Sequence, residues 1–167
     1  MVSNNLSHDN LQSGIGLNTD SPSEISQRVI ITGNICRANK FDGMDINVPR
    51  KQVRLTISNN VCSMNVRAGI YLCGVIGASI TGNVCDLNGN AGIHVNGSRS
   101  MVISSNYVLS NNSSADSADS ELDRSGITLQ NSSYCSLVGN LSGNDGGEAT
   151  QKYGIFMVDG SACVNRT

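Results

Sequence analysis

Short runs in which apolar and polar residues alternate recur along the whole chain. Six copies of one phrase, a glycine followed by Ile or Met, then any residue, then an aliphatic residue or Met, begin at Gly14, Gly43, Gly69, Gly92, Gly126 and Gly154. In each copy two apolar positions flank one central residue, as Ile93 and Val95 flank His94. This two-residue period predicts short strands with one buried face.

A second phrase follows the first and predicts how the strands are arranged. It is Ile-Thr-Gly-Asn-Ile-Cys at 31–36 and recurs in related form at 57–62, 80–85, 103–108 and 137–142. The spacing between first phrases ranges from 23 residues (Gly69 to Gly92) to 34 residues (Gly92 to Gly126). Loops between stacked strands absorb such variation, whereas a fixed helical repeat does not. We therefore predict an all-β fold, a right-handed parallel β-helix of about six coils.

Two asparagine positions recur in the predicted turns. The first is occupied by Asn5, Asn34, Asn60, Asn83, Asn106 and Asn140, and the second by Asn10, Asn39, Asn65, Asn88, Asn111 and Asp145. Stacked carboxamides can bond along the coil axis and pair turn backbone groups that would otherwise be buried without partners. These columns are predicted to be structural ladders rather than functional sites.

The cysteine positions favour a buried role over disulfides or zinc. Cys36, Cys62 and Cys85 share a repeat position with Val108 and Ser142, while Cys135 and Cys163 share one with Leu55, Ala78 and Met101. A position that exchanges Cys for small or apolar residues is a core position, where free Cys acts as a small hydrophobe. Cys73 is predicted to lie at the surface. We expect no metal site and no cofactor.

Composition excludes several classes of function. The net charge of −2 argues against a nucleic-acid partner, which favours a basic surface. The sequence has neither an apolar run long enough for a membrane span nor a signal-peptide pattern at its start. The length fits one domain, residues 1–167. Because the repeat is cut within a coil at both ends, we expect this domain to be a segment of a longer solenoid.

The two phrases together resemble the right-handed parallel β-helix repeats of the pectate-lyase-like superfamily. The resemblance covers residues 2–163 and is specific for fold rather than for function. It implies a carbohydrate polymer as ligand, since this superfamily contains polysaccharide lyases, glycoside hydrolases, uronate epimerases and bacteriophage tailspikes. It also implies an extracellular or virion-surface location.

The central residue of the first phrase supplies the candidate chemistry. The column is Gly16, Asp45, Tyr71, His94, Thr128 and Phe156, and it is expected to face outward. Asp45, Tyr71 and His94 would lie on three consecutive coils, about 4.8 Å apart, and are the candidate catalytic residues. The candidate substrate-binding residues beside them are Arg67, Asn47, Asn96, Arg124 and Gln130. We call these eight residues the polar stripe.

Two enzymatic interpretations of the polar stripe are open. A lyase or epimerase would abstract the proton next to a uronate carboxylate, with His94 or Tyr71 as base, the other as proton donor, and Arg67 or Asn96 neutralising the carboxylate. A hydrolase requires two carboxyl groups, for which Asp45 and Asp42 are the available pair. The non-enzymatic alternative is a rigid shaft or adhesin segment.

A second column bears on assembly. It comprises Leu6, Ile35, Val61, Val84, Tyr107 and Leu141, and we call it the apolar column. If the neighbouring Asn and Cys positions face inward, this column faces outward, and soluble monomers seldom expose so much apolar surface. It therefore predicts a homotrimer, as in tailspikes. The alternative is that the turn geometry buries this column in the core.

Overall fold

The strands of successive repeats stack as parallel rungs in the computed structural model, which describes residues 1–18, 27–113, 124–146 and 150–158. The strands are β1 (Val2–Ser3), β2 (Leu6–His8), β3 (Ile15–Asn18), β4 (Gln27–Thr32), β5 (Ile35–Arg37), β6 (Met44–Ser58), β7 (Val61–Ser63), β8 (Ile70–Thr81), β9 (Val84–Asp86), β10 (Ile93–Asn96), β11 (Arg99–Ser104), β12 (Tyr107–Leu109), β13 (Ser125–Gln130), β14 (Ser133–Val138), β15 (Leu141–Gly143) and β16 (Tyr153–Met157). This is the predicted all-β, right-handed parallel β-helix.

The strands form two sheets that run along the coil axis. A ten-stranded sheet follows the order β1-β4-β6-β8-β10-β13-β16, with β3, β11 and β14 paired off this path. A six-stranded sheet of three-residue strands follows the order β15-β12-β9-β7-β5-β2. Along the chain, one or two strands of the ten-stranded sheet alternate with one strand of the six-stranded sheet, as in a solenoid.

The core consists of the predicted columns. Ile70, Leu72 and Ile80 of one coil are fully buried, and so are their counterparts in neighbouring coils, Ile93, Val95 and Ile103. The core prediction for the cysteines is confirmed for Cys36, Cys62, Cys85 and Cys135, all buried, and Cys73 is half-buried. Cys163 lies outside the described residues. Among the described residues no helix is long and apolar enough to cross a bilayer.

The first asparagine ladder is confirmed along its whole predicted length. In each step the side-chain amide and the backbone N–H of one Asn both donate to the carboxamide oxygen of the next, from Asn5 to Asn140. The same side chains also donate to strand carbonyls, as Asn83 Nδ2 does to Ile57 O at 3.0 Å. The ladder thus pairs turn backbone groups that the core would leave without water.

The second ladder is confirmed from Asn10 to Asn111, but Asp145 does not continue it. Asp145 is exposed and accepts a bond from Ser110 Oγ at 2.5 Å. Gln151 Nε2 donates to Ser142 Oγ at 3.2 Å, but Gln151 Oε1 is buried without a hydrogen-bond partner among the described residues, so Gln151 does not accept from Asn111. The ladder therefore ends at Asn111, whose Nδ2 donates to the carbonyl oxygens of Cys85 and Leu109.

The glycine that begins each first phrase packs against the next coil. A Cβ placed on Gly69 would lie 2.6 Å from the carbonyl oxygen of Gly92, 2.9 Å from Asn88 Nδ2 and 3.2 Å from Cys85 Cβ. The equivalent position on Gly43 meets the same three groups one coil earlier. The repeat therefore needs glycine here because its backbone lies directly against the ladder amide and the cysteine column.

The apolar column faces outward, so the alternative that buries it in the core is wrong. Leu6, Ile35, Tyr107 and Leu141 are exposed, whereas Cys36 and Cys62 beside the column are completely buried. This follows from strand alternation, since Cys36 and Cys62 occupy the central, inward positions of β5 and β7. The homotrimer stays a prediction.

Candidate functional site

Strand register brings the three candidate catalytic residues together on the ten-stranded sheet. Asp45 pairs with Tyr71 between β6 and β8, and Tyr71 pairs with His94 between β8 and β10. Each is half-buried and alternates with fully buried aliphatic residues, so each side chain faces outward. Adjacent members are therefore one rung apart, about 4.8 Å, and Asp45 and His94 are two rungs apart.

The column does not remain open along its whole length. Thr128, which pairs with His94 on one side and Phe156 on the other, is completely buried. The expectation that every central residue of the first phrase is exposed is wrong at this position. The continuous accessible part of the column accordingly runs from Gly16 to His94. Beyond Thr128 lie the stacked rings of Tyr153 and Phe156, whose centroids are 4.8 Å apart.

Tyr71 and His94 are in direct contact. Their ring centroids are 5.3 Å apart at an interplanar angle of 85°, an edge-to-face arrangement. His94 Nε2 lies 3.4 Å from Gln130 Oε1, one rung further along. Burial raises the pKa of Tyr71, and the hydrogen bond with the Asn96 side chain opposes that shift. The phenol is thus held protonated at neutral pH, next to an imidazole oriented by Gln130.

Two carboxyl groups lie at the other end of the accessible column. Burial raises the pKa of Asp45, while a hydrogen bond from Asn18 and the charge of Arg67 oppose the rise. Asp42 is 7% exposed and accepts the Ala68 N–H at 2.9 Å. Burial raises the pKa of Asp42 to about 6, the Ala68 bond opposes this, and the neighbouring charge of Asp45 adds to it.

Arg67 is held beside these carboxyl groups by Phe41. Its guanidinium carbon lies 4.1 Å from the centroid of the Phe41 ring, and its backbone N–H donates to Phe41 O at 3.1 Å. Its charge lowers the pKa of both Asp42 and Asp45. Nevertheless, in the part of the chain that the structure describes, Arg67 forms no ion pair within 4.0 Å with either carboxylate. The stacked side chain is exposed to solvent.

The remaining predicted binding residues line the same face. Asn47, Cys73, Asn96 and Gln130 form one column next to the central one, through the pairings of β6, β8, β10 and β13. Arg124 directly precedes β13, and extending the β8–β10–β13 register places it two rungs from Arg67, about 9–10 Å. Six residues of the polar stripe therefore lie on one face of one sheet, and Arg67 and Arg124 lie in the segments that precede β8 and β13.

Sequence reasoning missed Phe41 as a member of this site and did not predict the burial of Asp42. Phe41 and the burial of Asp42 become visible only when the turn before β6 packs against the turn before β8. The sequence does contain a signal, because Phe41 is one of two phenylalanines in a chain with 4% aromatic residues. Its role as a platform for Arg67 depends on which coil lies beside it.

A family comparison identifies the chain. The family model described as "Periplasmic copper-binding protein (NosD)" matches residues 1–122. The chain belongs to the NosD family. No curated protein matches the chain. Among solved structures, this NosD-family chain is similar to the A-module of the mannuronan C-5 epimerase AlgE6 from Azotobacter vinelandii, with 10% identity and a TM-score of 0.49. The match covers 97% of this chain and 57% of the epimerase module, so the chain spans little more than half the module's length.

The described residues of this NosD-family chain do not fit a copper ion. Nowhere in residues 1–18, 27–113, 124–146 and 150–158 do three or more His, Cys, Asp or Glu side chains lie close enough to hold a metal. The stacked thiols of Cys36, Cys62 and Cys85 have no exposure. The hydrogen bond with Cys62 and burial raise the pKa of Cys36 well above its usual value, which disfavours the thiolate that copper requires.

Proposed function

We propose that the polar stripe binds an acidic polysaccharide whose chain lies along the coil axis. The observation that carries this proposal is the placement of Arg67, stacked on Phe41 and exposed beside the Tyr71–His94 pair. An arginine held by an aromatic ring, with no ion pair to a carboxylate among the residues that the structure describes, suits a carboxylate of a ligand. Arg124, two rungs away, supplies a second cation along the same line.

The contact between Tyr71 and His94 supports proton abstraction next to the bound carboxylate. In a β-elimination, His94 takes the proton from the carbon beside the uronate carboxyl, whose developing charge Arg67 neutralises. The electron pair forms the new carbon–carbon double bond as the glycosidic C–O bond breaks. Tyr71, whose ring contacts that of His94, gives its proton to the leaving oxygen. No oxidant or metal enters this balance.

The test is incubation with a panel of uronate and neutral polysaccharides, following new reducing ends and the ultraviolet absorbance of unsaturated uronates. The chain contains two histidines, so His8→Ala is a matched control for His94→Ala. We expect both signals in the wild type and in His8→Ala and neither in His94→Ala. Full turnover by His94→Ala would exclude the elimination.

Hydrolysis is the second candidate, favoured by the carboxyl pair Asp42 and Asp45. Asp42 combines burial with a pKa of about 6, which suits a general acid, and Asp45 is the neighbouring carboxyl group. New reducing ends without the absorbance, lost in Asp42→Asn and Asp45→Asn, would support hydrolysis over elimination.

For assembly and location we propose a homotrimer through the apolar column and a site of action outside the cytoplasm. The exposure of Leu6, Ile35, Tyr107 and Leu141 supports the first, and the periplasmic description of the NosD family supports the second. Light scattering at micromolar concentration tests the trimer. A monomeric mass would exclude it, and a trimer without any polysaccharide binding would favour a structural shaft.

A further inference from the structure

The turn before β6 presents a buried carboxyl group directly behind the exposed arginine. Asp42 lies between Phe41, which stacks under Arg67, and Gly43, whose N–H donates to Ala68 O at 3.0 Å. Ala68 in turn donates its N–H to Asp42 Oδ1 at 2.9 Å. The two segments 41–43 and 67–68 are therefore clamped by hydrogen bonds in both directions, and Asp42 cannot move away from Arg67 without breaking them.

The charged and titratable groups around Asp42 come from three adjacent segments. Asp45 on β6 and Arg67 before β8 act on its charge, and its own charge acts on Tyr71 in β8. From the preceding coil, the uncharged hydroxyl of Ser13 accepts the backbone N–H of Asp42 at 3.3 Å. Among these groups Asp42 is the most deeply buried ionisable one, so its charge is the least screened by solvent.

The geometry points to Asp42 as the residue that sets the affinity of the polar stripe for a polyanion, through the charge it places next to Arg67. When Asp42 is protonated, the positive charge of Arg67 is available to a carboxylate of the polymer. When Asp42 is ionised, its negative charge partly offsets the positive charge of Arg67 and repels that carboxylate. This inference rests on the proposed function, since it concerns the same site and the same class of ligand.

The raised pKa of Asp42 determines the pH range over which the affinity for a polyuronate should change. Because burial raises the pKa of Asp42 to about 6, its proton is held through mildly acidic conditions and lost near neutrality. Acidification from pH 8.0 to 5.5 should therefore strengthen binding of a polyuronate, whose own ordinary carboxyl groups remain ionised over this range. A neutral glycan should show no such change.

The test is the dissociation constant of a defined oligouronate at pH 5.5 and pH 8.0 for the wild type, Asp42→Asn and Asp86→Asn. Asn keeps the acceptor for the Ala68 N–H and removes the charge. Asp86 is a matched control, because burial also raises its pKa but it lies in β9 of the other sheet. His94 is present in all three proteins, so a difference between them in pH dependence reports on the substituted carboxyl group.

We expect the ratio of the affinities at pH 5.5 and 8.0 to fall by about tenfold in Asp42→Asn, chiefly through tighter binding at pH 8.0. The ratio in Asp86→Asn should equal that of the wild type. Binding that persists in Asp42→Asn with an unchanged ratio would overturn this inference and leave the proposed function standing. Absence of oligouronate binding by the wild type at both pH values would overturn both. Circular dichroism of each variant at both pH values verifies the fold.

Discussion

Asn60 donates twice to one atom of Asn83, from its side-chain amide at 2.9 Å and from its backbone N–H at 3.0 Å. Both residues are completely buried, so neither donor has access to water. The register of the polar stripe depends on this ladder, because the ladder fixes how each coil lies on the next.

Removing one ladder amide should destabilise the whole coil stack. Asn83→Ala leaves the buried N–H of Asn60 without an acceptor and removes the side-chain donor to Ile57 O. We expect a loss of roughly 3 kcal/mol in the free energy of unfolding, since each buried unpaired group costs about 1–3 kcal/mol. Urea unfolding measures it. The control Asn47→Ala, at an exposed position, should change stability by less than about 0.5 kcal/mol.

The glycine contact between coils gives a second stability prediction. Gly69→Ala places a methyl group 2.6 Å from the Gly92 carbonyl oxygen, and backbone on both sides limits relaxation. We expect destabilisation of about 1–3 kcal/mol. Gly16→Ala is the matched control, because its new methyl group meets nothing within 4 Å. Equal unfolding midpoints for the two variants would contradict the account of this contact.

Burial of Asp42 should make stability depend on pH. Its pKa is raised from 3.8 to about 6, so the folded state holds this proton more tightly than the unfolded state does. The resulting stability is fully present below pH 3.8 and is lost as the pH rises through 6. Asp42→Asn should therefore be more stable than the wild type at pH 7.5, by up to about 3 kcal/mol, and should match it more closely near pH 4. Thermal unfolding at both pH values checks this, with Asp9→Asn at the surface as control.

Thiol chemistry distinguishes the core from the stripe. In a Cys163→Ser background we expect a thiol reagent to modify Cys73 in the native protein and to reach Cys36, Cys62, Cys85 and Cys135 only after unfolding, because these four are buried. Cys73 lies between two members of the polar stripe, Asn47 and Asn96, so an oligouronate should slow its modification. Rapid labelling of the buried thiols in the native state would contradict the assigned core.

The fold was predictable because residues of similar size and polarity recur at equivalent positions of successive coils. Asn34, Asn60 and Asn83 repeat at the same turn, and a repeat of that kind specifies the stacking axis without further information. The end of the second ladder at Asn111 was not predictable from the repeat, because Asp145 is exposed and accepts from Ser110 Oγ instead.

The sequence predicted which residues of the candidate site share a face, but not how deeply each side chain is buried. Strand alternation placed Asp45, Tyr71 and His94 on one face, since the period of a strand determines side-chain direction. The burial of Thr128 and of Asp42 depends on neighbouring segments rather than on that period. The stacking of Arg67 on Phe41 likewise needs two turns from different coils to lie in contact.

The most direct test of the central claim is calorimetric titration with an oligouronate and with its carboxyl-reduced, neutral counterpart, using the wild type, Arg67→Ala and Arg54→Ala. Arg54 is an exposed arginine on β6 that lies outside the polar stripe and serves as the matched control. We predict that the wild type and Arg54→Ala bind the oligouronate and not the neutral form, and that Arg67→Ala loses at least about tenfold in affinity, the equivalent of one charge-assisted bond. Equal affinity for the charged and neutral polymers, or unchanged affinity in Arg67→Ala, would contradict the account.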